Sequence, residues 1–280
     1  MITDAAVQSG QRTPAAVERP STLRINLNLT RELAVTSFKL KYTGSTLGYA
    51  WSLVKPLLIF GMTYAVFVKV LKTGAGDRSF PVELLLGIVL WTFFADATGS
   101  AVGAIVANGQ MIRKAYFPRW IVVVASTLSA TMTLAVNLAL VVLIGLPLGW
   151  FSVGLQTLLL PALFVELYML VVGIGLLMSA LFVFYRDLGH VWEISLQLLF
   201  YASAIVFPLT LVTHYVSFAA ANPVAQIVED MRRALITPGI PWSASILGAW
   251  EIVPCLLVCA ALGGGYLVFH RLTPRFGESL

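Results

Sequence analysis

Six apolar stretches, each long enough to cross a bilayer, constrain this chain more than any other feature. A spanning helix needs about 20 mostly apolar residues, and the runs near 51–71, 82–107, 120–146, 162–184, 191–212 and 246–269 meet that length. With 59% hydrophobic and 11% charged residues and a mean hydropathy of +0.88, the chain belongs with membrane proteins rather than soluble domains. The expected fold is an all-α polytopic membrane protein with six spans. The first 50 residues hold no short apolar core with a small-residue cleavage site, so the first spanning helix is expected to direct insertion.

The charges say which way the spans run. The 18 Lys and Arg would point to nucleic acid only if they lined one face, whereas they sit at the ends of apolar runs. Lys69, Lys72, Arg78, Arg232 and Arg233 fall on one side of the expected topology, and the other 13 of the 18 fall on the side of the N-terminus. The positive-inside rule then places both termini in the cytoplasm. Lys55 and Lys69, about 21 Å apart along the first run, are expected to snorkel to opposite interfaces. Cys255 and Cys259, one helical turn apart in an apolar run, read as small packing residues rather than a disulfide or metal pair.

Two further segments read as helices that do not span. Val35, Phe38 and Tyr42 share one side of a helix ahead of the first run while Lys39 and Lys41 fall elsewhere, the pattern of a helix lying in the interface. The second is NPVAQIVEDMRRALITPG, with Asn222 as N-cap, Pro223 at the first helical position and Pro238 and Gly239 as the stop. Val224, Ile227, Val228, Met231 and Leu235 form its apolar stripe, and Glu229 is expected to pair with Arg233 at i,i+4 on the opposite face. About 14 residues, roughly 21 Å, is too short to span. This helix should lie at the outer surface or re-enter from it.

The connection QMIRKAYFPRW, after the second run, is short and basic. Asn108 is positioned to cap a two-turn helix that Pro118 ends. A positive-inside anchor with Trp120 in the aromatic belt accounts for the charges. A rigid knob with Tyr116 and Phe117 exposed beside cations also reads as a surface for docking another protein.

Four segments, KYTGSTLGYAWSLVKPLL (41–58), IRKAYFPRWIVVVAS (112–126), FVFYRDLGHVW (182–192) and NPVAQIVEDMRRAL (222–235), resemble, in the same order, segments of the ABC-2 permeases that export lipid-linked polysaccharides. These are the Wzm-like membrane subunits of O-antigen, capsule, teichoic acid and galactan exporters. The resemblance runs from about Arg31 to the C-terminus, and residues 1–30 are expected to form a mobile tail ahead of the transmembrane domain, 31–280.

That resemblance implies a bacterial inner-membrane location and specific roles by position. Lys39 to Leu53 would be an interfacial helix and its turn into the first span. Met111, Ile112, Arg113, Lys114, Ala115, Tyr116 and Phe117 would be the coupling helix that docks on a separate, Wzt-like ATPase subunit, with Tyr185, Arg186 and Asp187, up to Gly189, as a second contact. Asn222, Pro223, Ile227, Glu229 and Arg233 would belong to an external gate running to Ile236. One departure is visible: KLKYTGS stands where the family often has a more arginine-rich start.

No GxxxxGK[ST] stretch is present to cradle nucleotide phosphates. The glycines of TGAGD at 73–77 lack the lysine and read as a turn. ATP and Mg²⁺ are therefore expected on the partner ATPase, with no cofactor, metal or catalytic residue in this chain. Six spans are few to enclose a polymer-wide passage, so a two-fold homodimer is the natural closure. Ala95, Gly99, Gly103 and Ala107 form a small-residue ridge for close helix approach, within one subunit or across the dimer.

Phe60, Tyr64 and Phe67 share one face of the first span, and Phe200, Tyr201 and Phe207 lie on the fifth, near Ser203. Packing is the commoner role of such stripes, but the resembled family lines its passage with these two spans, so a substrate path is the second reading. Asp96 and Glu166 are the most deeply placed acids, each costing about 2.5–3.5 kcal/mol to insert if central and unpaired. No Lys or Arg is expected at mid-membrane to pair with them. They are either a polar lining or proton site, or hydrogen-bond partners of groups such as Asn137 or Ser and Thr hydroxyls. A proton-coupled carrier or flippase using these two acids is the alternative function, though no inverted repeat supports it. A membrane transferase is a third, but His190, His214 and His270 are scattered.

Overall fold

A computed structural model describes residues 22–44, 47–70, 72, 79–114, 116–152, 154–203, 205–206 and 220–279. Among these residues the chain is all-helical with no strand. Lipid supplies no hydrogen bonds, so each spanning segment must pair its own backbone, which a helix does within itself. The longer elements are α1 (Thr22–Tyr42), α2 (Ala50–Tyr64), α3 (Phe80–Ala107), α4 (Gly109–Lys114), α5 (Trp120–Gly145), α6 (Leu160–Phe182) and α7 (Leu188–Ala202). They are followed by α8 (Pro223–Leu235), α9 (Ser243–Leu247), α10 (Ile252–Leu272) and a terminal turn, α11 (Phe276–Ser279).

Five segments are long and apolar enough to cross a membrane: Ala50–Val70, Phe80–Ala107, Trp120–Gly145, Leu155–Phe182 and Ile252–Arg275. The first is α2 continued by a π-helical stretch, Ala65–Val70. The fifth expected span, 191–212, corresponds to the 15-residue α7, and its end from 207 onward lies outside the described residues. The last span starts at Ile252 rather than 246, because Gly248, at φ 54°, turns the chain between α9 and α10.

Helix α3 is the core. It is apolar around its whole circumference and buried on most of it, as a central helix must be. Helices α2, α5 and α6 pack against it, α10 packs along α6, and α1 runs along α5. The face of α1 that meets α5 carries Thr30, Ala34 and Tyr42, one residue per turn or multiple turns, and the Tyr42 hydroxyl lies 3.2 Å from Thr133 Oγ1. Since α1 begins at Thr22, the domain boundary expected at residue 30 falls inside a packed helix.

Within this chain the closest helix crossing lies away from the small-residue ridge of α3. Beyond Gly99 and Gly103 a Cβ would meet nothing within 4 Å, while Ala95 of the same ridge packs against the core cluster. Helices α6 and α10 instead cross at Gly173 and Gly265, where a Cβ on Gly265 would collide with the Gly173 carbonyl. Gly175 similarly admits Ala101 of α3, whose Cβ would lie 2.9 Å from an added methyl.

Candidate functional site

The bundle has two chemically distinct ends. One carries the turn between α3 and α5, the turn between α6 and α7, and the C-terminus. Asn108 closes α3 here, its side-chain amide donating to the Ala104 carbonyl at 2.8 Å, while its own carbonyl accepts from Ile112 N at 3.0 Å. The expected cap is thus divided: the side chain serves the helix before, and only the backbone opens α4. Within α4, Ile112 is buried while Arg113 and Lys114 are exposed. Tyr116 is fully exposed, as expected, but Phe117 turns inward onto an apolar cluster and is only half-exposed. Ala115 lies outside the described residues.

The second expected contact sits at this same end. Tyr185, Arg186 and Asp187 are all exposed, and the Arg186 guanidinium stacks 5.4 Å from the Phe182 ring centroid. The structure therefore brings the two segments together through a shared cluster that includes Ile112, Val183 and Phe184. Phe276, which the sequence reading did not single out, is fully buried in that cluster.

Asp96 lies 11 residues before the end of α3, about 16 Å along the axis. It is not without a cation. Lys55 Nζ is 3.0 Å from Oδ1 and Lys41 Nζ is 3.3 Å from Oδ2. The expectation that no Lys or Arg pairs with this acid is overturned. Long lysine stems let both ammonium groups converge on α3 from α1 and α2. The three residues edge a cavity of about 680 Å³ bounded also by Trp51, Thr92 and Thr133. Asn137 takes no part in holding either acid: its amide donates to the Thr133 carbonyl at 3.0 Å. Glu166, half-buried on α6, has the Cys255 thiol 3.8 Å from Oε1, so Cys255 faces an acid. Both cysteines are free and exposed.

The aromatics divide. Phe60, Tyr64 and Phe67 are half-buried and pack onto the core cluster around α3. Phe200 meets Trp91 edge-on with centroids 5.7 Å apart, and Tyr201 is exposed beside it. With Ile59, Leu196 and Gln197 these line a groove of about 380 Å³ between α2 and α7. Trp91 at its floor escaped the sequence reading because it belongs to an uninterrupted apolar run. Phe207 lies outside the described residues.

The opposite end is organised by α8. Asn222 caps it as expected, Oδ1 accepting from Val224 N at 3.0 Å. The apolar stripe is also as expected, with Val224, Ile227, Val228 and Met231 buried. The polar face is not. Glu229, Asp230 and Arg232 are buried too, because α8 is set between α3, α6 and α10 rather than lying on them. Glu229 pairs with Arg232 at 3.1 Å, not with Arg233, whose guanidinium stacks 4.7 Å from the Trp242 centroid. Arg232 also donates to the Glu83 carbonyl at 3.1 Å and the Ile205 carbonyl at 2.6 Å. Gly87 makes room for this guanidinium, since a Cβ there would stand 2.6 Å from Nη2. Asp230 accepts from Ser243 N, Ser243 Oγ and Gln226 Nε2 at 2.9, 2.6 and 3.0 Å.

An all-helical membrane bundle with a short inserted helix at one end and a basic platform at the other defines the class of protein: a polytopic membrane subunit without a catalytic constellation among its described residues. The sequence profile of the ABC-2 type transporter family matches residues 28–236, and the chain belongs to that family. It is similar to the O-antigen export system permease protein RfbA of Klebsiella pneumoniae, 24% identical over 264 residues, covering 92% of this chain and 98% of the relative. The RfbA of Myxococcus xanthus is 22% identical over 251 residues, covering 89% and 94%. The polysialic acid transport protein KpsM of Escherichia coli is 29% identical over 197 residues, covering 69% and 75%.

Proposed function

We propose that this chain is the permease subunit of an ATP-driven exporter that moves a lipid-linked polysaccharide out of the cytoplasm across a bacterial inner membrane. The observation that carries this reading is the platform of Arg113, Lys114, Tyr116, Tyr185 and Arg186, exposed together and backed by one apolar cluster. Such a surface suits docking: charges steer the encounter and an aromatic supplies contact area. The partner is a separate, Wzt-like ATPase holding ATP and Mg²⁺. The platform faces the cytoplasm, as the excess of cations at that end favours.

Two copies of the permease form the passage, with α2 and α7 along it and α8 acting as the external gate. Among the described residues, the groove on Trp91, Phe200 and Tyr201 is lined without a fixed charge. Aromatic faces can meet the apolar faces of sugar rings while leaving the chain free to slide, which favours a neutral glycan. The relatives' names, O-antigen and polysialic acid carriers, support a polysaccharide cargo. Asp96 is paired with two lysines rather than standing as a lone intramembrane acid, which weighs against the proton-coupled reading.

The test is the double substitution Arg113→Glu, Lys114→Glu. Membrane insertion should be unchanged, while retention of the ATPase subunit on the purified permease falls about tenfold or more, a loss of roughly 1.4 kcal/mol. Normal retention and normal export in that variant would remove the docking assignment.

A further inference from the structure

The C-terminal segment closes the bundle in a way that the family match, which ends at residue 236, does not describe. After the last turn of α10 the chain continues through Thr273–Arg275 and tucks the Phe276 ring back into the protein. The ring centroid lies 5.5 Å from that of Phe269 on α10 and 6.1 Å from that of Phe184 in the turn after α6. Arg119, in the connection between α4 and α5, holds the same segment from the other side. Its guanidinium sits 5.8 Å from the Phe276 centroid and donates to the Thr273 carbonyl. Ile112 of α4 is buried in the same cluster, with Met111 and Phe117 packed against it.

Three stretches far apart in the chain therefore meet at one ring. α4 and the turn at 183–187 have separate backbones, and a push on one reaches the other only through what lies between them. Aromatic side chains are stiff and fill such a junction without the rotameric slack of a long aliphatic chain.

We propose that Phe276 is a positioning residue: it locks α4, the 183–187 turn and the end of α10 into one rigid unit, so that force received at the platform is delivered to α10 as well as to α3 and α5. This rests on the docking role proposed above for the platform. Phe276 itself is buried and would not touch the ATPase. A merely space-filling Phe would matter for stability alone, whereas a junction residue sets the relative position of two surface elements.

The experiment places spin labels at Tyr116→Cys and Tyr185→Cys in a background with Cys255→Ser and Cys259→Ser, in the full-length permease purified with its ATPase. The distance distribution between the labels is compared for Phe276, Phe276→Ala and Phe276→Leu. Phe276→Ala should broaden the distribution at least about twofold and, in protein that keeps Tyr116 and Tyr185, uncouple ATP hydrolysis from export, with Phe276→Leu intermediate. Val258→Ala, another buried apolar truncation on α10 outside this cluster, should leave the width unchanged. An unchanged width in Phe276→Ala overturns the proposal. If that variant fails to insert, the same reading is made on Phe276→Leu, where a wild-type width overturns it equally. Failure here is separable from failure of the docking role: if Arg113→Glu, Lys114→Glu releases the ATPase while Phe276→Ala changes nothing, only the junction is disproved.

Discussion

The two charged clusters of this protein use similar groups to opposite ends. Around Arg232 the side chains of the pair are 3% and 1% exposed, and the guanidinium reaches two backbone carbonyls besides Glu229. Around Asp96 the carboxylate is 24% exposed and its lysines 43% and 58%. Arg presents several donors in a fixed fork, so one residue can satisfy three acceptors and fasten α8 to α3 and to the chain at Ile205. Two lysines on flexible stems satisfy one acid without fixing any backbone. The first cluster is a fastening that cannot be opened cheaply, and the second is a looser contact at the edge of an open cavity.

The sharpest way to break this contrast is Arg232→Met. Glu229 would be left buried without its cation, and loss of one partner of a buried pair costs about 3–5 kcal/mol. We expect the variant to accumulate poorly and to melt well below wild type in detergent; a melting midpoint within error of wild type would show that α8 is held by its apolar stripe alone. A smaller loss, about 1–3 kcal/mol, is expected for Ser243→Ala, which strips Asp230 of the Oγ–H donor but leaves the backbone N–H bond. Proteolysis of the α8–α9 connection should then quicken while the rest of the bundle stays resistant.

At the other cluster, Asp96→Asn should cost at most about 1 kcal/mol, because partly exposed ion pairs are screened by water. Its melting midpoint should stay near wild type. A collapse comparable to that of Arg232→Met would erase the distinction between the clusters. The smallest effect belongs to the individual lysines. A double-mutant cycle joining Lys55→Gln and Asp96→Asn should yield a coupling of about 0.2–1 kcal/mol that shrinks as salt rises. A coupling insensitive to salt would mean that the cavity excludes water.

Features built from neighbouring residues were legible in the sequence. The Asn222 cap, the Pro223 start and the stripe Val224, Ile227, Val228 and Met231 all depend on spacings within one helix, and all are present. The same local rule misassigned Glu229 to Arg233. An i,i+4 spacing offers a partner to a helix whose polar face is in water, but α8 is buried nearly all round, and the positions of the Glu83 and Ile205 carbonyls draw Arg232 inward instead. Lys41 and Lys55 were missed as partners of Asp96 because they lie 55 and 41 residues away. Phe276 gave little signal: one aromatic two residues after Pro274, with no periodic apolar pattern around it.

What the sequence determined by itself is the helical character of the spans, their approximate limits and the placing of most cations near the ends of apolar runs. Each follows from a requirement that a segment meets alone, pairing its own backbone in lipid and keeping its charges at the ends. Only the tertiary structure decided which acid meets which cation, which glycines let helices touch and which ring joins the basic turns. Those outcomes depend on how helices lean on one another, and that geometry brings together residues that no spacing rule relates.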